Sequence, residues 1–164
     1  MKQENGMPSA ARAALIAAIR AQYVLDWDGI HGSAHGERVR ENGLRLAERT
    51  GARADVVELF AYFHDACRHN DGHDPQHGPR GADLARRLAG SLFTIDPAGL
   101  ELLVAACAGH THGGTVAQIT VATCWDADRL DLGRVGKIPR PERLCTEAAR
   151  DPEVIRWGYE RSLR

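Results

Sequence analysis

The sequence is poor in several features that mark particular classes of protein. Aromatic residues make up only 5% of the 164 residues, and the formal net charge is −1. The chain therefore offers neither an obvious set of stacking platforms for bases nor an overall field that would attract a nucleic-acid polymer. The four cysteines form no C-x-x-C pair, which favours small buried thiols in a reduced compartment over a zinc site.

Long apolar runs are also missing. The N-terminal segment MKQENGMPSA contains no apolar stretch typical of a signal peptide. The longest apolar run, AALIAAI at 13–19, is far shorter than the roughly 20 residues that a bilayer span needs. We therefore expect a cytoplasmic protein that does not enter a membrane.

Apolar residues recur at helical spacing through most of the chain, and clusters of turn-forming residues separate the segments. Helix start signals stand at Ser9, Ser33, Asp96-Pro97 and Asp151, and Gly51 is a stop signal. The pattern predicts helices over 9–27, 33–50, 54–67, 81–88, 96–109, 118–132, 141–150 and 152–163. Since no strand-like alternation is long enough to compete, we expect one all-α domain over residues 1–164.

Side chains that can bind a metal ion are concentrated in four stretches, each at a predicted helix end or beside a turn. They are HGSAHGERV at 31–39, the doublet His64-Asp65, GHTHGG at 109–114 and WDADRLD at 125–131. The doublet follows the apolar helical segment FAYF, where an ionised carboxylate is costly to bury unless a partner such as a divalent cation is present. An isolated His-Asp pair would be an ordinary helix end, but here three further stretches repeat the same ligand types.

Taken in order, H-x-x-R-V at 35–39, the HD doublet, H-x-H-G and D-A-D-R-L-D resemble the HD-domain superfamily of metal-dependent phosphohydrolases. Small bacterial single-domain members are the most similar. The resemblance covers roughly residues 28–136 and implies an all-α HD-domain helical bundle with additional helices at both ends. It implies a ligand pattern H…HD…D, which falls on His35, His64, Asp65 and Asp126.

Two of these ligand assignments have neighbouring alternatives. His31 lies four residues before His35; we prefer His35 because it matches the H-x-x-R-V frame and lies inside a helix. Asp128 lies two residues after Asp126 and would point to another face of the helix, so we expect a structural role for it.

The resemblance also implies a cofactor and catalytic groups. Two imidazoles and two carboxylates with open positions suit Mn²⁺, Fe²⁺, Co²⁺, Ni²⁺ or Mg²⁺, and allow Zn²⁺. The ion would activate a water molecule, which Asp65 could orient, while Arg38 and His110 would contact the phosphate. Some superfamily members hold a second metal, and here Asp65 would bridge to it. The candidates for a second metal or for substrate contacts are His77, His110, His112 and Lys137.

We therefore expect hydrolysis of a small phosphate ester or nucleotide, through a metal-activated water. Two alternatives stay open: a di-iron oxygenase of the same superfamily, which needs the second metal, and a non-catalytic binding domain that a metal ion stabilises. The expected partner is a small phosphorylated substrate rather than a nucleic-acid polymer or a membrane. The first and last helices could cover a partner subunit, which leaves a homodimer open.

Overall fold

The computed structural model describes residues 6–164, and the regular structure in this range is helical. Eight α-helices follow one another in this range: α1 Ser9–Gln22, α2 Ser33–Thr50, α3 Ala54–Phe63, α4 His77–Leu88, α5 Pro97–Gly109, α6 Ile119–Arg129, α7 Glu147–Arg150 and α8 Pro152–Ser162. Two short 3₁₀ segments, Leu132–Val135 and Pro141–Arg143, lie between α6 and α7. Residues 6–164 contain no named β-strand, and one isolated β-bridge joins Ala89 to Phe93. The prediction of an all-α fold is confirmed.

Several helix boundaries follow from local sequence signals. The carboxylate of Asp96 accepts a hydrogen bond from the Gly99 amide (2.8 Å), and Pro97 occupies the first position of α5. Gly51 ends α2 with φ of 75°, a left-handed conformation that glycine adopts without a steric penalty. These signals fix where α2 and α5 end and begin, and so where their site residues stand.

Helix α3 lies in the middle of the fold, packed against α2, α4, α5 and α6. Its residues Val56, Val57, Phe60 and Phe63 are fully buried. A second apolar cluster joins α7 and α8 to α2 and α6; it consists of Leu46, Leu130, Leu144, Ala148, Ala149 and Val154. The buried centre thus places the C-terminal end of α3 inside the protein rather than at its surface.

The main difference from the predicted helices is that α4 begins at His77 rather than at Gly81. Pro79 lies in the first turn of α4, where a missing amide proton costs nothing. A Cβ atom at Gly78 would collide with the Cys107 carbonyl oxygen, and one at Gly81 with the Phe63 carbonyl oxygen. These two glycines therefore allow α4 to lie close to α3 and α5, which brings His77 into the interior.

Other boundaries also differ, and α6 ends at Arg129 rather than at residue 132. Helix α1 ends at Gln22 instead of continuing to Trp27, and α3 ends at Phe63, followed by turns through Cys67. The predicted helix over 141–150 is divided into a 3₁₀ segment and the short α7. Within residues 6–164, the helices are each too short or too polar to cross a lipid bilayer.

Candidate metal centre

Histidine and aspartate side chains from distant parts of the chain converge at the inner ends of several helices. The residues that come together are His31, His35, His64, Asp65, His77, His110 and Asp128. All are buried except Asp128, whose side chain is 17% exposed. Such a concentration of buried ligand-type side chains is typical of a metal site, because ionised and polar groups are costly to remove from water unless they have partners.

The first ligand group consists of His35, His64, Asp65 and Asp128. The Nε2 atoms of His35 and His64 are 3.0 Å apart. His35 Nε2 lies 3.4 Å from Asp65 Oδ2 and 3.4 Å from Asp128 Oδ1. His64 Nε2 lies 3.6 Å and 3.7 Å from the same two oxygens. Two nitrogens and two carboxylate oxygens therefore surround one small volume.

The second ligand group consists of Asp65, His77 and His110. The Nε2 atoms of His77 and His110 are 2.8 Å apart. They lie 3.1 Å and 3.5 Å from Asp65 Oδ1. Asp65 thus directs one carboxylate oxygen towards each group, which is the arrangement of a bridging ligand between two ions.

Each of the four histidines in the two groups has its Nδ1 atom against an oxygen that only accepts hydrogen bonds. These oxygens are Asp131 Oδ2 for His35 (2.6 Å), Phe60 O for His64 (3.1 Å), Asp74 O for His77 (2.5 Å) and Cys107 O for His110 (2.8 Å). When a ring is neutral, Nδ1 therefore carries its proton, and Nε2 presents a lone pair to the group.

With all four rings neutral, two pairs of Nε2 lone pairs would face each other at 3.0 Å and 2.8 Å, so each pair needs either a proton on one ring or a metal ion between the two. Ligand atoms about 2.1 Å from one metal ion are roughly 3 Å apart, close to these separations. The donor set therefore fits divalent metal ions on geometric and electrostatic grounds.

The protonation states of His64, Asp65 and Asp128 agree with this interpretation. Burial lowers the pKa of His64 to about 3, so this ring is neutral at pH 7. Burial opposes ionisation of Asp65, but the neighbouring His64 and the hydrogen-bonded His110 and His31 hold its pKa well below the usual value. Burial likewise opposes ionisation of Asp128, yet its contact with His35 lowers its pKa. Both carboxylates are thus ionised at neutral pH, as metal ligands must be.

His35 behaves differently from His64. Burial and the nearby Arg134 lower its pKa, but hydrogen bonds to Asp128, Asp131 and Asp65 outweigh them and raise it to about 9. In the metal-free protein His35 is therefore protonated at neutral pH, and its Nε2–H faces His64 Nε2. A divalent ion at this position would supply the positive charge in place of that proton.

The structure corrects the assignment of Asp126. Its carboxylate is fully buried and accepts hydrogen bonds from Cys145 N (2.7 Å), Thr146 N (2.8 Å) and Thr146 Oγ1 (2.7 Å). Residues two apart on a helix are about 200° apart around its axis, so only one of Asp126 and Asp128 can face the site. The face of α6 with Asp126 packs on the segment before α7, and the ligand group contains Asp128 instead.

Arg38 also has a role other than the predicted phosphate contact. Its guanidinium donates to both oxygens of Asp131, from Nε (2.6 Å) and Nη2 (3.1 Å). Asp131 in turn accepts from His35 Nδ1, so the pair holds the His35 ring in orientation. The sequence places Asp131 among the acids of D-A-D-R-L-D, but its role in orienting His35 was not predicted; it lies three residues after Asp128, just beyond the end of α6.

Two other arginines lie closer to the ligand oxygens. Arg68 Nε is 3.1 Å from Asp65 Oδ1, and Arg134 Nη2 is 3.9 Å from Asp128 Oδ1. The side chain of Arg134 is 9% exposed and also donates to Ile30 O (2.9 Å) and Asp131 O (3.0 Å). These contacts fix a positive charge beside the first ligand group.

The remaining sequence candidates divide between the site and the surface. His31 Nδ1 lies 2.8 Å from Asp65 Oδ2, so His31 and His35 both reach Asp65, but only His35 also contacts His64 and Asp128. His112 and Lys137 are exposed and lie outside the ligand groups.

Comparison with solved structures gives one informative match. The chain is similar to the crystal structure of a predicted HD superfamily hydrolase from an uncultured Thermotogales bacterium, with 27% sequence identity and a TM-score of 0.69. The match covers 90% of this chain and 84% of that chain. No family model matches the sequence, and no curated protein matches it. The all-α fold, the buried cluster around the His64-Asp65 doublet and this structural match identify the chain as a member of the HD superfamily.

Proposed function

We propose that the protein is a metal-dependent phosphohydrolase that hydrolyses a small phosphate ester or nucleotide. The similarity to a predicted HD superfamily hydrolase supports a hydrolase of this kind. The observation that carries the proposal is the position of Asp65, whose Oδ2 and Oδ1 atoms face two separate sets of imidazole lone pairs. Two bridged divalent ions are a common device for displacement at phosphorus.

The residues would divide the metal binding between them. The first ligand group would hold one ion and the second ligand group another, with Asp65 shared. Mixed imidazole and carboxylate ligands suit Mn²⁺, Fe²⁺, Co²⁺, Ni²⁺ or Mg²⁺ and allow Zn²⁺. Such ions polarise a phosphoryl oxygen and lower the pKa of a bound water molecule.

The side chains around the ligands contribute orientation and charge. Asp131 and Arg38 hold the His35 ring, and backbone carbonyls hold the other three rings, so each Nε2 is fixed before substrate arrives. Because the carboxylates of the first ligand group offset the charge of an ion, a phosphate needs further positive charge. Arg134, fixed by two backbone carbonyls, is our candidate for that contact, and Arg68 beside Asp65 is a second.

One observation also supports a second candidate function. Asp65, His77 and His110 complete, with His35, His64 and Asp128, a set of six residues for two ions. A di-iron oxygenase of this superfamily requires such a set. Oxygen-dependent turnover of an iron-loaded protein would distinguish it from a hydrolase.

The test begins with metal analysis of the purified protein, followed by a screen of phosphate esters and nucleotides with the identified ion added. We expect release of phosphate that a chelator abolishes and added metal restores. His73→Ala is the matched control, since His73 is exposed in the loop outside the ligand groups and should retain full activity. Failure to hydrolyse any ester with any of the candidate ions, together with oxygen consumption by the iron-loaded protein, would replace the hydrolase with the oxygenase.

A further inference from the structure

A cavity of about 350 Å³ opens directly beside the first ligand group. His31, His35, His64 and Asp65 form part of its lining. Its size falls within the range of about 300–1,000 Å³ that is typical of sites for small molecules. Any molecule whose phosphate reached the ligand groups would therefore have this space available for its remaining atoms.

The rest of the lining is largely apolar. Helix α1 contributes Ile16 and Ile19, the following loop contributes Trp27, and α3 contributes Ala61. This composition favours burial of hydrocarbon or ring atoms over burial of several hydroxyl groups, each of which would need its own partner.

The charges along the cavity also limit what can bind there. Apart from the metal cluster, its charged side chain is Glu37, which is paired with Arg40 at 2.7 Å. Among residues 6–164, no lysine or arginine belongs to the lining. A second phosphate or a carboxylate in this space would find no lysine or arginine in the lining to pair with, so the occupant carries no further negative charge. The apolar lining also disfavours a buried cation.

Two tyrosines add ring surface to the lining. Tyr23 and Tyr62 line the cavity, and their hydroxyl oxygens are buried without a hydrogen-bond partner among the described protein atoms. Trp27 contacts the Tyr23 ring edge-on, with centroids 5.2 Å apart, which adds aromatic surface on this side.

We propose that this cavity binds the non-phosphate part of the substrate, and that this part is an uncharged, largely apolar group about the size of one ring. The inference rests on the proposed function, because the phosphate end of the same molecule would lie at the ligand groups. It narrows the substrate class from small phosphate esters in general to esters of apolar, ring-bearing alcohols, and away from sugar phosphates and polyphosphates.

The first test compares three esters of primary alcohols: methyl phosphate, glycerol 3-phosphate and benzyl phosphate. Their leaving groups are chemically similar, so differences in kcat/KM report binding of the group beyond the phosphate. With metal-loaded protein we expect benzyl phosphate to exceed methyl phosphate by at least about tenfold, from burial of one ring, and glycerol 3-phosphate to gain little. Equal values for all three esters would overturn the inference.

A pair of variants tests whether this preference arises in the cavity. Ile16→Lys places a cation in the lining and should lower the ratio of benzyl to methyl phosphate kcat/KM by about tenfold. Val116→Lys adds the same charge at a residue that is 89% exposed and outside this cavity, and should leave the ratio unchanged. If Ile16→Lys leaves the ratio of benzyl to methyl phosphate kcat/KM unchanged, the preference for benzyl phosphate does not arise in this cavity, and the inference is overturned.

A binding measurement separates failure of this inference from failure of the proposed function. Benzylphosphonate and methylphosphonate cannot release an alcohol, and calorimetry gives their affinities for the Mn²⁺-loaded protein without turnover. We expect benzylphosphonate to bind at least about tenfold more tightly. If no ester is hydrolysed but benzylphosphonate still binds more tightly, the proposed hydrolase function is wrong and the cavity assignment is supported. If esters are hydrolysed but the two phosphonates bind equally, the hydrolase function is supported and the cavity assignment is wrong.

Discussion

Replacing Asp126 and Asp128 one at a time tests which of these two carboxylates binds metal. In Asp126→Ala, two backbone amides and the Thr146 hydroxyl lose their acceptor. A buried donor left without a partner costs about 1–3 kcal/mol, so three of them set an upper range of about 3–9 kcal/mol. Burial raises the pKa of Asp126, which means that removing its charge recovers part of this cost. We therefore expect a loss of about 3 kcal/mol.

For a chain of this length, about 3 kcal/mol corresponds to a fall of roughly 6–12 °C in Tm. Circular dichroism of the metal-free proteins measures this shift, and elemental analysis of the loaded proteins measures bound metal. Asp126→Ala should unfold at the lower temperature yet bind metal as the parent protein does. Asp128→Ala should keep its metal-free Tm within a few degrees, since its side chain is partly exposed, and lose metal from the first ligand group.

The opposite pattern would refute this reasoning. If Asp126→Ala lost metal with an unchanged Tm, and Asp128→Ala retained it, the assignment of the two carboxylates would be reversed. Asp126→Asn is a useful intermediate, because its remaining carbonyl oxygen preserves part of the acceptor capacity. It should show a smaller fall in Tm than Asp126→Ala.

Three further changes test the ligand groups by metal analysis and titration. Asp65→Ala should lose metal from both groups and all hydrolytic activity while its far-ultraviolet spectrum stays helical, because Asp65 is the proposed shared ligand; full activity in this variant would exclude that role. His77→Ala should lower the metal content from two ions per chain to one, whereas His73→Ala in the neighbouring loop should change nothing, and a large loss in the latter would show that the loop contributes to the site. Asp131→Asn, which weakens the orientation of His35, should reduce metal affinity by about 10–100-fold, and an unchanged affinity would contradict the positioning role.

Much of the fold could be predicted because its signals are local. Asp96 with Pro97 and Gly51 mark helix ends through chemistry that depends on a few adjacent residues. The start of α4 at His77 could not be predicted in this way. Gly78 and Gly81 usually argue against a helix, but here they permit close contact with the backbone of α5 and α3, which is a tertiary effect.

The site was predictable in its composition and less so in its details. The doublet His64-Asp65 and His35 lie together as the ordered motifs suggested. The choice between Asp126 and Asp128 depends on which face of α6 meets the segment before α7, and sequence spacing alone does not contain this information. The role of Arg38 could not be predicted from the sequence either, because its partner Asp131 is 93 residues away along the chain.

Anomalous diffraction from crystals of the Mn²⁺-loaded protein is the most direct test of the central claim, that the carboxylate of Asp65 bridges two ions. We predict two anomalous peaks on either side of this carboxylate, one beside the Nε2 atoms of His35 and His64 and the other beside those of His77 and His110. A strong peak beside Asp126, or no peak in contact with Asp65, would contradict it.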